Sequence, residues 1–194
     1  MADDEPGPVA ASYLSLALGE FLDQLASRQA APGGGAAAAI TISVAAGLVG
    51  MAARYSVDRL PGAEAMAQDA ERLRARAAAL ATADAEAYQQ VLSARANRAG
   101  RDQVAAALTR AAEIPLELAE LGAATARLAS RLAAEGKPDI RGDATTGLLL
   151  AEAATRASAH LVVVNVEAGG GSGELLERAA DHVARAREAA AWLA

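Results

Sequence analysis

The feature that most constrains the fold of this chain is an apolar seam between residues 61 and 97. Two sets of residues recur there at seven-residue intervals and interleave at alternating spacings of four and three. They are Met66, Leu73, Leu80 and Ala87, and Ala70, Ala77, Asp84 and Val91. This is the spacing of a long helix that packs lengthwise against other helices, so the seam predicts a helical bundle.

Composition supports the same fold class, because alanine is abundant and aromatic residues make up 3% of the 194 residues. Glycine and proline divide the chain into six predicted helices. They cover about Tyr13–Gln29, Ala36–Tyr55, Pro61–Asn97, Asp102–Glu135, Ala144–Asn165 and Gly173–Leu193. We therefore predict an all-α, antiparallel up-and-down bundle of about six helices, whose core of small side chains a partner chain would help to bury. Residues 1–10 are predicted to be a disordered tail, and residues 11–194 a single domain.

Charge and residue usage exclude several functions. The net charge of −6 without a basic stripe argues against a nucleic-acid partner. Cysteine is absent and the two histidines have no metal-like spacing, so no metal site is predicted. Residues 36–53 carry no charge, but they are mostly alanine and glycine, so we expect a buried helix rather than a membrane span. The acidic start lacks a signal-peptide pattern, and a cytoplasmic protein is expected.

Asp84 is the anomaly in the seam, because an apolar residue is expected at its position. A buried carboxylate costs several kcal/mol unless it is paired or neutralised. Tyr88 lies one turn later on the same side of the helix and is placed to hydrogen-bond it. One interpretation is a general acid or base with a shifted pKa. The other is that the seam opens there and Asp84 meets water or an arginine.

Two further features have both a structural and a functional interpretation. The stretch Pro32–Gly35 reads PGGG and precedes a helix, whose free N–H groups favour anions. Its glycines also allow backbone to approach a ligand closely, yet a tight turn between helices explains them as well. Asp143 precedes the fifth predicted helix, so it is either an N-cap or a functional carboxylate.

Taken together, these residues resemble the cyclodeaminase/cyclohydrolase family, which includes the C-terminal half of formiminotransferase-cyclodeaminase. The resemblance extends from about Leu18 to Leu193 and depends on the order and spacing of several short stretches. They read FLDQLAS, APGGGAAAA, DAEAYQQV, AAEIPLELAELG and GDATTGLLLAEAA, followed by Asn165. The resemblance implies an all-α bundle that dimerises, with active sites near the subunit interface.

The resemblance also implies a function. Family enzymes act on one-carbon adducts of tetrahydrofolate, either adding water to a methenyl bridge or closing a formimino group with loss of ammonia. It implies no metal or redox cofactor. The implied catalytic residues are Asp84, Asp143 and Tyr88, and the implied substrate-binding residues are Pro32, Gly33, Gly34, Gly35, Asn165 and Arg54. The expected activity is a methenyltetrahydrofolate cyclohydrolase or a formimidoyltetrahydrofolate cyclodeaminase in a homodimer.

An alternative is a non-catalytic or ligand-binding helical dimer that keeps the bundle without the substrate clamp. Leu161 and Val163 occupy positions that are Asn and Arg in the family, and Ala36 stands where serine often follows the glycines. Lysines that commonly follow the second helix are also missing, and the candidate replacements are Arg54 and Arg59. A different small amidine or pterin-like substrate in the same cleft is a further alternative.

Overall fold

The computed structural model describes residues 12–169 and 172–193, and its regular elements are all helical. The six α-helices are α1 (Leu18–Ala26), α2 (Gly34–Tyr55), α3 (Ala63–Ala96), α4 (Arg101–Glu135), α5 (Arg141–Glu167) and α6 (Gly173–Ala190). Short 3-10 turns are formed by Tyr13–Ser15, Pro138–Ile140 and Ala191–Leu193. The all-α prediction is confirmed for these residues, whereas the predicted tail over residues 1–10 lies outside them.

The α2 helix lies in the core and packs against α3, α4 and α5. Its buried side chains are nearly all small, and they include Ala36, Ala39, Ile42, Ala46, Val49 and Ala53. The predicted seam of α3 is also confirmed. Met66, Ala70, Ala77, Leu80, Ala87 and Val91 are buried, and Asp84 is partly buried among them.

Small residues let the helices approach closely, which fixes how α5 lies on α2. A β-carbon at Gly147 of α5 would be only 3.2 Å from the carbonyl oxygen of Ala45 and 3.3 Å from Val49 Cγ2. Near its other end, α5 places Leu161 against Gly34 at the start of α2. The end of α5 is therefore part of the surroundings of the glycine-rich loop.

Two helical stretches, Gly34–Tyr55 and Pro138–Glu167, are long and apolar enough to cross a membrane by length and composition alone. Within the bundle, 56% of the apolar window of the first and 44% of that of the second are buried. The apolar character of α2 thus serves packing between helices, as expected for the core helix of a soluble protein.

Several predicted boundaries are corrected. The first predicted helix is divided, because Leu16 and Ala17 adopt extended backbone between the Tyr13–Ser15 turn and α1. The α2 helix begins at Gly34, so two of the three loop glycines belong to its first turn. The α5 helix begins at Arg141 with Ile140 as N-cap, and Asp143 is its third residue rather than its cap.

Candidate active site at the start of α2

The glycine-rich loop ends in a helix start that lacks a side-chain cap. The Ala31–Pro32 peptide is cis, Pro32 is buried, and Gly33 is the N-cap with extended backbone at φ −127°. Glycine has no side chain to accept a hydrogen bond from the first turn of α2. The first N–H groups of a helix lack partners within the helix and carry the positive end of its dipole. This helix start therefore favours an acceptor from elsewhere.

Asp84 of α3 supplies that acceptor. Its carboxylate lies directly against Gly35, where an added β-carbon would overlap both carboxylate oxygens. The backbone N–H of Ala36 also interacts with the carboxylate by hydrogen bonding. A side chain at position 35 would thus displace Asp84, so the glycine is required by the close approach of the carboxylate to the helix start.

The surroundings of Asp84 make it a group that can exchange protons near neutral pH. Burial raises the pKa of Asp84 from 3.8 to about 6, and the Ala36 N–H opposes this by favouring the ionised form. A group whose pKa lies near the working pH is suited to general acid or base catalysis. The interpretation of Asp84 as a shifted carboxylate is consistent with this geometry, and no arginine pairs with it among the described residues.

Tyr13 is a neighbour of Asp84 that the sequence did not reveal. Its ring is 5% exposed and packs edge-on against Phe21, with ring centroids 5.8 Å apart. Its backbone N–H donates to Thr82 Oγ1 over 3.4 Å, which anchors it two residues before Asp84 on α3. Burial, together with the nearby Asp84, raises the pKa of the Tyr13 phenol. Because 69 residues separate Tyr13 from Thr82, no local sequence pattern signals this contact.

Leu161 of α5 forms the other side of the helix start. Its Cδ2 lies 3.8 Å from the position that a β-carbon would take at Gly34, which is an ordinary apolar contact. We use the name loop end for Pro32–Gly35, Tyr13, Asp84 and Leu161. At the loop end, one ionisable carboxylate therefore faces helix N–H groups among mostly apolar neighbours.

Asn165 lies one turn beyond Leu161 and has a structural partner. Its Nδ2 donates to the carbonyl oxygen of Ala111 over 2.9 Å. That carbonyl lies four residues before Pro115, which has no N–H to donate to it within α4. The Asn165 side chain thus satisfies the backbone acceptor that Pro115 leaves free, while its own oxygen is not engaged by this bond.

Arg54 and Asp143 lie away from the loop end in the same chain. Arg54 is 20 residues after Gly34 on α2, a rise of about 30 Å, and forms an exposed ion pair with Glu71 at 3.8 Å. Asp143 is 18 residues before Leu161 on α5, about 27 Å along the helix. We call Arg54 and Asp143 the far end.

Tyr88 lies on α3 beside the loop end, but it is 45% exposed. No hydrogen bond joins it to Asp84 in the described part of the chain. Among the residues described, no group of three His, Cys, Asp or Glu side chains is placed to hold a metal ion. Within a single chain, Asp84 is thus the candidate acid–base group of the loop end.

The described part of the chain is thus an all-α helical protein with a candidate acid–base group, a partly buried aspartate against a glycine-rich helix start. The sequence model of the formiminotransferase-cyclodeaminase family matches residues 17–169. The chain therefore belongs to this family, and the resemblance seen in the sequence is confirmed. The match includes every residue of the loop end except Tyr13.

One relative and one solved structure agree with this family. The chain is 31% identical over 163 residues to a methenyltetrahydrofolate cyclohydrolase of Methylorubrum extorquens, covering 76% of this chain and 77% of the relative. It also superposes on the formiminotetrahydrofolate cyclodeaminase of Thermotoga maritima with a TM-score of 0.80, covering 93% of this chain and 98% of that one. At 23% identity the second likeness shows the fold alone.

Proposed function

We propose that this chain is a folate one-carbon hydrolase of the methenyltetrahydrofolate cyclohydrolase type, with its chemistry at the loop end. The observation that carries the proposal is the Asp84 carboxylate, which has a pKa of about 6 and lies against the first turn of α2. The cyclohydrolase relative, aligned over three quarters of both chains, supports the choice of reaction.

The proposed reaction adds water to the methenyl carbon, which carries the positive charge of an amidinium-like centre. Ionised Asp84 attracts this charge and takes a proton from the attacking water. The hydroxyl of the adduct then releases its proton to solvent and becomes the formyl carbonyl as one carbon–nitrogen bond breaks, and Asp84 returns the first proton to the departing nitrogen. The net change is addition of one water and release of one proton, and the proposal calls for no metal or redox cofactor.

The surroundings of Asp84 have defined roles in this proposal. The Tyr13 ring keeps the carboxylate away from bulk water, which holds its pKa near neutrality. Backbone N–H groups of Gly34 and Gly35 receive a polar part of the folate, since the side chain at position 36 is alanine. Leu161 offers an apolar wall to the flat ring of the substrate, and Tyr88 and the free oxygen of Asn165 border the site.

We further propose that the bundle is antiparallel and that the protein works as a homodimer in the cytoplasm. In this dimer, the far end of one chain lies beside the loop end of its partner. Arg54 and Asp143 would then hold the substrate of the neighbouring copy. Large apolar side chains on the surface support a partner chain, because Leu18, Leu22 and Val44 are 69%, 52% and 51% exposed. Leu18 and Leu22 lie one turn apart on α1, and adjacent exposed apolar side chains mark a surface that can associate.

The direct test is loss of the near-ultraviolet absorbance of methenyltetrahydrofolate, measured against its spontaneous hydrolysis. The purified chain is expected to accelerate the reaction, and Asp84→Asn to lower kcat/KM at least about a hundredfold. Glu86→Gln, an exposed change two residues along α3, is the matched control. Absence of both acceleration and a folate-induced rise in Tm would refute the folate function. Ammonia release from the formimino substrate would instead assign cyclodeaminase activity.

A further inference from the structure

A second cleft, apart from the loop end, opens between α4 and α6. Its volume is about 770 Å³, which is in the range of small-molecule sites. Ala123 and Ala124 of α4 and Ala189 of α6 line it. Because these side chains are so small, they leave the space between the two helices unfilled, and longer polar side chains surround it.

One end of the cleft combines an aromatic ring with an unpaired cation. Trp192 is the single tryptophan of the chain and is 49% exposed, and its Nε1 donates to Ser130 Oγ over 2.9 Å. Arg127 lies one turn before Ser130 on α4, lines the cleft, and has no ion pair or hydrogen bond among the described residues. By contrast, Arg131 pairs with Glu135 at 3.2 Å and Arg185 with Asp181 at 3.8 Å.

The other end of the cleft also carries a carboxylate. Glu120 lines it, seven residues before Arg127 and so about 10 Å away along α4. His182 of α6 lines the cleft near Glu120, and burial lowers the pKa of its imidazole, although Glu120 opposes this shift. Burial therefore favours the neutral imidazole, and Glu120 places a carboxylate at this end of the lining, with Arg185 also near His182.

We propose that this cleft binds a planar aromatic carboxylate. The ring stacks on the Trp192 indole, and its carboxylate takes the fork of N–H donors offered by Arg127. A hydrogen-bond donor on the opposite side of the ring points toward Glu120. The site is independent of the loop end, because none of its residues belongs to that region.

The lone tryptophan makes the test direct, since a ¹⁵N-labelled sample gives one indole N–H signal. Benzoate is the probe, and benzamide is its uncharged analogue of nearly the same shape. Benzoate is expected to shift the Trp192 signal saturably, with benzamide at least about tenfold weaker, because it lacks the charge that Arg127 pairs with. 4-Aminobenzoate is expected to bind more tightly than benzoate through its amino donor.

Two arginine variants then test which side chain pairs with the carboxylate of benzoate. Arg127→Gln should weaken benzoate binding at least about tenfold. Arg187→Gln, an exposed change on α6 outside the cleft lining, should leave it unchanged. An unshifted indole signal, equal binding of benzamide, or equal affinities in the two variants would overturn the proposal. An unshifted indole signal would show that Trp192 serves only to fasten the end of α6 to α4, whereas either of the other two results would show that the ring binds without a charge pair at Arg127. Cyclohydrolase activity does not enter this test, so its outcome is separate from that of the proposed function.

Discussion

The loop end and the far end each carry an aspartate, Asp84 and Asp143, but their charged side chains lie in opposite settings. At the loop end, Asp84 is drawn into the protein against a helix start, and its pKa rises to about 6. At the far end, the Arg54 side chain is 59% exposed and meets Glu71 at 3.8 Å in water. Exposed ion pairs of this kind contribute little, whereas burial changes the protonation of a single carboxylate. The comparison teaches that burial, rather than residue type, distinguishes the candidate catalytic group.

The largest expected effect comes from the third loop glycine. In Gly35→Ala the new methyl group occupies the space of the Asp84 carboxylate, so Asp84 must move. We expect kcat/KM for methenyltetrahydrofolate to fall at least about a hundredfold, since small misplacements of catalytic groups have effects of this size. Gly47→Ala on the same helix is the matched control, because its β-carbon meets only Arg74 Cδ at an ordinary 3.9 Å and it lies outside the loop end.

A stability cycle separates this clash from a general effect on α2. Gly35→Ala should destabilise the wild-type protein more than it destabilises an Asp84→Ala background, where the carboxylate is gone. Urea unfolding of the four proteins measures the coupling. Equal destabilisation in both backgrounds would show that Gly35 is needed for some reason other than Asp84.

The next effect is a pH dependence of stability caused by Asp84. Its pKa is raised in the folded protein, so protonation favours folding, and this contribution is lost as pH rises through about 6. Relative to Asp84→Asn, the wild type should lose about 2 kcal/mol of unfolding free energy between about pH 4.5 and 7.5. Urea unfolding at several pH values measures it. A constant difference between the two proteins would mean that the pKa of Asp84 is not raised.

The titration of Asp84 should also change kcat/KM, which we expect to rise with pH where the stability falls. If ionised Asp84 accepts the proton of water, kcat/KM rises with pH through about 6 and levels off above it. The most active form of the enzyme is then the form in which Asp84 is least stabilising. A profile that falls through this range would assign Asp84 as the acid instead of the base.

A smaller effect is expected at Asn165. Asn165→Leu leaves the Ala111 carbonyl without a donor, which should destabilise the protein by about 1–3 kcal/mol. Adding Pro115→Ala restores an N–H four residues after Ala111 and should recover part of the loss. Urea unfolding of the single and double variants measures this recovery.

The KM of the rescued double variant tests a role of Asn165 in substrate binding. An unchanged KM would assign Asn165 to structure, and a raised KM would support its role in substrate binding.

The sequence predicts these sites to different extents. The seam of α3 predicts both a long helix and its one anomalous carboxylate, because periodicity is a local property of the chain. The partners of Asp84 are not predictable in the same way, since Tyr13 and Gly35 reach it through tertiary packing. The α2 helix begins two residues earlier than predicted, because glycine ordinarily favours loops, whereas the close approach of Asp84 requires glycine inside the first helical turn.

The smallest expected effect on stability is at Asp143, and it decides whether the two ends cooperate. Asp143 lies in the first turn of α5 and forms no ion pair with the described residues, so Asp143→Asn should change the unfolding free energy by less than about 1 kcal/mol. Under the proposed dimer, kcat/KM should nevertheless fall about tenfold, because the partner's site loses a substrate contact. When equal amounts of Asp143→Asn and Asp84→Asn chains are refolded together, about half of the dimers are hybrids, and each hybrid has one intact site of its two. The mixture should therefore recover about a quarter of wild-type activity. Full activity of Asp143→Asn, or no recovery on mixing, would confine the chemistry to the loop end of each chain.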